Sequence, residues 1–357
     1  MNFLSSVRHK VTALLASASI LSVPFLAQAH EVYVLSPDAI AKGMTEPSLD
    51  VFGIITEHLN LFSFWAFIAV LVVVSVFFFS ISKKVEQAVD PFLLKIKRYA
   101  PLVARLTVGA SFMFAAYHGA FMAPEFSLEG IGGENAGFLA VLLAIAGALI
   151  FWGVLVRTGA LIGLGFFALA VTHHGSYLIT YADYLGAIIF LILVGGHEVS
   201  LERVIHASRE LPPLMHRVQD RIYKFGMEYG FTILRVGLGI SLIYASYYAK
   251  YLHAGLAMQT VDIFGLAQVF GFEPSFLVLG AFILEVLLGV FFIIGFEIRF
   301  AVLFAATFLT LSQLYFKEAV WPHGILFGVA IALFMHGYDK YSLEGYFFKK
   351  GKREPVL

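Results

Sequence analysis

Three ionisable residues inside apolar stretches are the first candidates for chemistry in this sequence. Glu285 lies near the middle of an apolar run at about 275–296, and Arg235 and Lys250 lie toward opposite ends of an earlier run. An ionisable group in hydrocarbon is costly unless it is protonated or paired. We therefore predict a proton- or quinone-linked site at these residues, with Arg235 or a nearby tyrosine as the partner of Glu285. The alternatives are a structural tie between helices for Glu285 and a lysine that reaches to the membrane interface for Lys250.

Three histidines, His118, His253 and His323, map to the outer ends of apolar runs, and we predict that they bind a cofactor. Imidazole suits proton transfer to a quinone, and it also binds copper, zinc or iron. The spacing matches no metal-binding motif, so metal ligands stay unassigned and a quinone is preferred to a metal. The alternative is that these interfacial histidines only form hydrogen bonds.

Several kinds of chemistry are excluded by composition and motifs. The 357 residues contain no cysteine, which excludes disulfides, thiol catalysis and cysteine-ligated metal clusters. Nucleotide-binding glycine loops, G-x-S-x-G and HExxH are missing from the sequence, and no basic stripe suggests nucleic acid. Whether the chain is an enzyme is therefore left open.

The elements that must hold these residues are membrane-spanning helices. The chain is 60% hydrophobic and 13% charged, and its mean hydropathy is +0.85, values that only a lipid environment accommodates. We predict an all-α membrane protein in the lipid bilayer with about nine spans. The apolar runs lie at about 59–81, 101–122, 137–156, 158–175, 181–196, 231–252, 275–296, 298–316 and 322–337.

The N-terminus has the features of an export signal. Arg8 and Lys10 precede an apolar run that ends at the small-residue site Ala27-Gln28-Ala29. We predict a signal peptide over 1–29, a short periplasmic segment over 30–58 and an extra transmembrane helix over 59–82. An uncleaved anchor helix is the alternative.

Lysine and arginine residues are unevenly distributed among the predicted loops. They cluster after the first span, between the fifth and sixth spans and in the basic tail 347–357, and they are sparse elsewhere. Positive residues mark cytoplasmic loops. The pattern predicts a bacterial-type inner membrane, with the mature N-terminus outside and the C-terminus in the cytoplasm.

The chain also repeats itself. A shift of 142 residues aligns Gly147 with Gly289 and Arg157 with Arg299, and a shift of 130 aligns Arg105 with Arg235. We predict two parallel four-helix units at 100–205 and 230–346. They differ where chemistry is expected, because Leu143 and Ala120 stand in the first unit at the positions of Glu285 and Lys250.

Each half resembles the DoxX/DoxD-like superfamily of four-helix membrane proteins. The residues that carry the resemblance are Arg235-Val236-Gly237-Leu238-Gly239, Tyr247-Tyr248-Ala249-Lys250, Glu285 with Gly289, Gly295 to Arg299, and Gly337 to Glu344. Members of that superfamily are tied to quinone-linked oxidation of sulfur compounds and to redox defence. The resemblance implies a membrane subunit of an electron-transfer system with a periplasmic or membrane redox partner.

Two other functions remain open at this point. Tandem repeats also suit a transporter of small solutes or metals, and the chain could be a non-catalytic membrane scaffold. Because Glu285 and Lys250 occur in only one half, we expect a polar, partly hydrated pocket that opens outward within residues 230–340. The first half is expected to be drier.

Overall fold

The computed structural model describes residues 35–196, 200–201, 213–317 and 320–347. The predicted signal peptide, its cleavage site and residues 348–357 of the basic tail lie outside the described residues. Those three predictions therefore stay predictions.

Helices make up most of the described chain, which confirms an all-α membrane protein as the fold class. Seven stretches are long and apolar enough to cross a membrane, and Trp321–His336 is a shorter apolar helix. One of the seven, Val156–Val194, contains two helices joined by a 3-10 helix. The predicted count of nine spans stays a prediction. The seven stretches are Phe62–Ile81, Gln87–Tyr117, Leu128–Trp152, Val156–Val194, Asp220–Leu252, Pro274–Ile294 and Ile298–Phe316.

The N-terminal part forms two short helices and one long one, α1 (Pro37–Thr45), α2 (Val51–His58) and α3 (Phe62–Ile96). Helix α3 continues well past the predicted end at residue 82. The sequence after that point is rich in lysine, glutamate, glutamine and alanine, which favour helix. Asp90 in this extension pairs with Arg299 Nη1 at 2.9 Å, so α3 is tied to the second half.

The first half contains four long helices and a small antiparallel strand pair. The pair joins α4 to the short helix α5, with Phe121 opposite Ala123. Its elements are α4 (Ala100–Tyr117), β1 (Ala120–Phe121), β2 (Ala123–Ser127), α5 (Leu128–Gly132), α6 (Ala136–Trp152), α7 (Val156–His174), a 3-10 helix (Gly175–Tyr181) and α8 (Ala182–Val194).

The second half has the same order of long helices with different connections. Its first helix ends in a π-helix instead of leading to strands. Its elements are α9 (Pro213–Ser246), the π-helix (Tyr247–Leu252), α10 (Ala254–Ile263), α11 (Leu266–Phe270), α12 (Pro274–Ile294), α13 (Ile298–Phe316), α14 (Val320–His336) and α15 (Leu343–Phe347).

Glycines let the first two long helices of each half pack closely. A Cβ atom added at Gly109 would lie 2.8 Å from the carbonyl oxygen of Gly147, and one added at Gly239 would lie 2.6 Å from that of Gly289. Helix α4 thus packs on α6 and α9 packs on α12, while α8 packs on α9 and α14 packs on α4. Corresponding residues make corresponding contacts, as expected for a tandem repeat. The division into two units stays a prediction.

Two arginines at matched positions form hydrogen bonds with the C-terminal ends of α8 and α14, the last long helix of each half. Arg157 Nε donates to the carbonyl oxygen of Ile192 at 3.0 Å, and Arg299 Nε donates to that of Phe334 at 3.1 Å. The carbonyl groups of the last turn of a helix have no partner within the helix. These arginines therefore satisfy helix ends as well as supplying positive charge.

Candidate functional site

A cavity of about 80 Å³ lies between the two halves. The first half contributes Tyr177, Thr180 and Tyr181 from the 3-10 helix. The rest of the lining comes from the second half and is mainly apolar, with leucine and alanine side chains and Phe308. Its polar members are Ser241, Tyr248, Lys250 and Glu285.

The structure brings together Lys250 and Glu285 at the wall of this cavity. Lys250 Nζ lies 3.0 Å from Glu285 Oε2, and the two side chains are 12% and 17% exposed. The π-helix Tyr247–Leu252 widens the helix where Lys250 leaves it. Single π-turns in helices occur frequently at functional sites. Lys250 therefore supplies the opposite charge that a carboxylate at Glu285 needs inside an apolar helix.

Arg235 lies elsewhere, although the sequence suggested it as the partner of Glu285. Its Nε donates to Asp339 Oδ2 at 3.1 Å, and its Nη1 donates to the carbonyl oxygens of Phe292 and Ile293. Phe292 lies seven residues beyond Glu285 on α12, which is about 10 Å along a helix. Arg235 therefore stabilises the end of α12 and the loop before α15, and Glu285 pairs with Lys250.

The three predicted cofactor-binding histidines do not converge on one point. The ring of His253 lies 4.6 Å from that of Tyr248, which lines the cavity. His118 stacks on Trp321 at 5.1 Å, and His323 is 2% exposed near the start of α14. Within the described residues, no group of three or more histidine, cysteine, aspartate or glutamate side chains could hold a metal ion.

Two carboxyl groups of the first half also belong to this region, and neither is among the candidate site residues predicted from the sequence. Asp183 is 2% exposed and accepts a hydrogen bond from Ser241 Oγ at 3.0 Å. Glu125 Oε1 accepts hydrogen bonds from the hydroxyl groups of Tyr177, at 3.3 Å, and of Tyr181. Burial raises the pKa of Glu125 to about 7, although the tyrosine hydrogen bonds oppose this shift.

The tyrosines were the available signal for these carboxyl groups. Tyr177, Tyr181 and Tyr184 recur at spacings of three to four residues near the ends of apolar runs, where tyrosine commonly forms an aromatic belt. The structure instead turns Tyr177 and Tyr181 toward Glu125 and the cavity.

The sequence predicted a pocket within residues 230–340, but the cavity extends beyond them to Tyr177, Thr180 and Tyr181. The first half supplies one wall because its 3-10 helix packs against α9. We expected a drier first half, and the position equivalent to Glu285 is indeed apolar and enclosed. Leu143 is fully buried there, and Phe121 and Met122 of the strand pair are buried in the same core.

No protein-family model matches this chain, and no curated protein or solved structure shows significant similarity to it.

Proposed function

We propose that this chain is a membrane subunit of an electron-transfer system and that its cavity binds the head group of a quinone. The observation that carries the proposal is the Lys250–Glu285 ion pair at the wall of a mainly apolar, tyrosine-lined cavity between the two halves. Small-molecule sites combine an apolar lining with a few convergent polar groups.

The polar groups suit a planar ligand with carbonyl oxygens. The ammonium group of Lys250 has three donors, one of which can bind a carbonyl oxygen while another holds Glu285. The rings of Tyr248 and Phe308 offer flat apolar surfaces. When bound, a quinone would accept electrons from a periplasmic or membrane redox partner, and the carboxyl group of Glu285 would supply or take up protons.

The volume of the cavity sets a condition on binding. A cavity of about 80 Å³ is smaller than the roughly 150 Å³ cavity known to hold benzene. Binding of a quinone ring therefore requires one wall to move outward. Helix α13 is the suitable wall, because Phe308 lines the cavity while Phe304, Leu311 and Leu314 on the same helix are exposed.

We also propose a DoxX-like family membership and an orientation in the membrane. The matched contacts of glycines and arginines in the two halves support a tandem DoxX-like organisation. The lysine and arginine clusters support an inner-membrane protein with its mature N-terminus outside and its C-terminus in the cytoplasm. In this orientation β1 and β2 lie on the outer side.

Transport of a small solute or cation is the second candidate. It is favoured by the position of the cavity between two similar halves, where transporter sites occur. It is also favoured by a volume that suits a few water molecules or a small ion better than a ring.

Ligand binding to purified protein in lipid nanodiscs tests the proposal. Decylubiquinone should bind to the wild type, and Lys250→Met should weaken the affinity about tenfold or more through loss of a charge-assisted hydrogen bond. The control is Lys340→Met, which removes an exposed ion pair with Glu228 whose members do not line the cavity and should change affinity less than about twofold. Failure of decylubiquinone to bind, combined with solute flux in proteoliposomes that Lys250→Met abolishes, would favour the transporter.

A further inference from the structure

Glu125 is a carboxyl group that the proposed quinone site does not use. It lies on β2, between the apolar stretches that end at Tyr117 and begin at Leu128. Its Oε2 is fully enclosed and has no hydrogen-bond partner among the described residues. An ionised oxygen without a partner is costly to bury, whereas a protonated one is much less so. The site therefore favours a carboxyl group that carries a proton.

The other oxygen of Glu125 is connected to the cavity. The hydroxyl groups of Tyr177 and Tyr181 both donate to Oε1, and both tyrosines line the cavity. The ring of Tyr177 lies 4.9 Å from that of Tyr248, which belongs to the same lining as Lys250. Glu125 is thus hydrogen-bonded to two tyrosines of the cavity lining to which Lys250 and Glu285 also belong.

We propose that Glu125 is a proton-binding site that exchanges protons with the cavity through the hydroxyl groups of Tyr177 and Tyr181. Glu125 takes up a proton when water in the cavity gives a proton to a tyrosine oxygen while that tyrosine gives its own hydroxyl proton to Oε1 of the Glu125 carboxylate. In the reverse direction, the protonated Oε1 gives its proton to the tyrosine oxygen while the tyrosine hydroxyl group turns and gives its own proton to water in the cavity. Glu125 then becomes a carboxylate, the tyrosine is unchanged overall, and one proton has entered the cavity. The delivery of that proton to a bound quinone rests on the proposed function, but the exchange itself does not.

Among the described residues, the groups around Glu125 are mostly uncharged. Tyr177, Tyr181 and Tyr184 face it from the 3-10 helix and α8. His174 contacts the ring of the neighbouring Phe126 at 4.8 Å. Glu129 on α5 is exposed. The desolvation that favours the proton is therefore not offset by a cation among these neighbours.

Infrared titration of the full-length protein in nanodiscs, without any quinone, tests the exchange site. The titration is carried out in an Asp183→Asn background, which removes the other buried carboxyl group of this region. In that background a carboxylic acid band should titrate near pH 7 and should be lost in Glu125→Gln. Glu129→Gln, an exposed carboxyl group four residues away, is the matched control and should leave the band unchanged. Tyr181→Phe should shift the midpoint upward, because the tyrosine hydrogen bond lowers the pKa.

Two results would overturn the inference. One is a band that persists in Glu125→Gln, which would assign the titration to another group. The other is a midpoint that neither Tyr181→Phe nor Tyr177→Phe moves, which would separate Glu125 from the cavity. Because no quinone is present, failure of decylubiquinone binding would count against the proposed function and leave this result intact.

Discussion

The first long helix of each half ends at a matched sequence position but with a different backbone. Helix α4 ends at Tyr117, and Gly119, with φ of +62°, leads the chain into β1. At the equivalent position the second half has Ala249, and the chain continues as a π-helix that carries Lys250. Glycine adopts positive φ without steric cost, whereas alanine does not. A glycine-to-alanine difference thus accompanies the change from a strand to a helical extension.

The side chains that pack beside the C-terminal ends of α4 and α9 also differ. In the first half Phe121, Met122 and Leu143 are fully buried in one apolar core. In the second half Lys250 and Glu285 form an ion pair at the wall of a cavity. Two similar helical frameworks therefore hold an apolar core in one case and a polar site in the other, and the polar site depends on backbone geometry as well as on residue type.

The largest expected effect comes from placing a carboxyl group in the first half, at the position equivalent to Glu285. Leu143→Glu should destabilise the protein by about 4 kcal/mol or more, because it buries a carboxyl group where an apolar side chain is fully enclosed. Thermal unfolding in detergent measures this. Adding Ala120→Lys should not rescue it, because residue 120 lies on a strand and not on a π-turn. Recovery of stability in that double variant would show that residue type alone makes the pair.

The positions of the long helices followed from local sequence, but the partners of charged groups did not. Apolar runs and the 142-residue offset indicated the long helices, and Glu285 and Lys250 stood out as ionisable residues in apolar runs. The partner of Glu285 depended on the π-turn at Lys250, which has no clear sequence signal. The link from Glu125 to Tyr181 joins residues 56 positions apart, and only folding brings them together.

The next effect concerns pH and the carboxyl group that the first half contributes to the cavity region. Folding raises the pKa of Glu125 from 4.5 to about 7, so the folded protein binds more protons than the unfolded chain between these values. The free energy of unfolding should therefore fall as pH rises through this window, by about 1.4 kcal/mol per pH unit. Glu125→Gln should flatten this dependence in denaturant titrations at pH 5, 6 and 7. An equally steep loss of stability in Glu125→Gln would contradict the assignment.

A moderate effect should appear at the matched glycines. Gly109→Val and Gly239→Val should each destabilise the protein by about 1–3 kcal/mol, because a Cβ at either position would lie 2.6 Å from a backbone atom of the facing helix. Gly137→Ala is the control, since nothing lies within 4 Å of its added Cβ. Thermal unfolding of the three variants compares the halves. Similar losses at Gly109 and Gly239 would support a repeat, and a loss at only one would argue against equivalent packing.

The smallest effect on stability is expected where the effect on function is greatest. Replacing both members of the pair, in Lys250→Met with Glu285→Leu, removes the desolvation cost and the attraction together, so stability should change by less than about 1 kcal/mol. Glu285→Leu alone should be less stable than the double variant, because it leaves the partly buried Lys250 without this partner. Decylubiquinone binding should be lost in both variants. Thermal unfolding and ligand titration on the same samples separate the two contributions. If the double variant unfolds like Leu143→Glu, the pair is a structural tie between helices; if it is stable and still binds decylubiquinone with wild-type affinity, the cavity is not the quinone site.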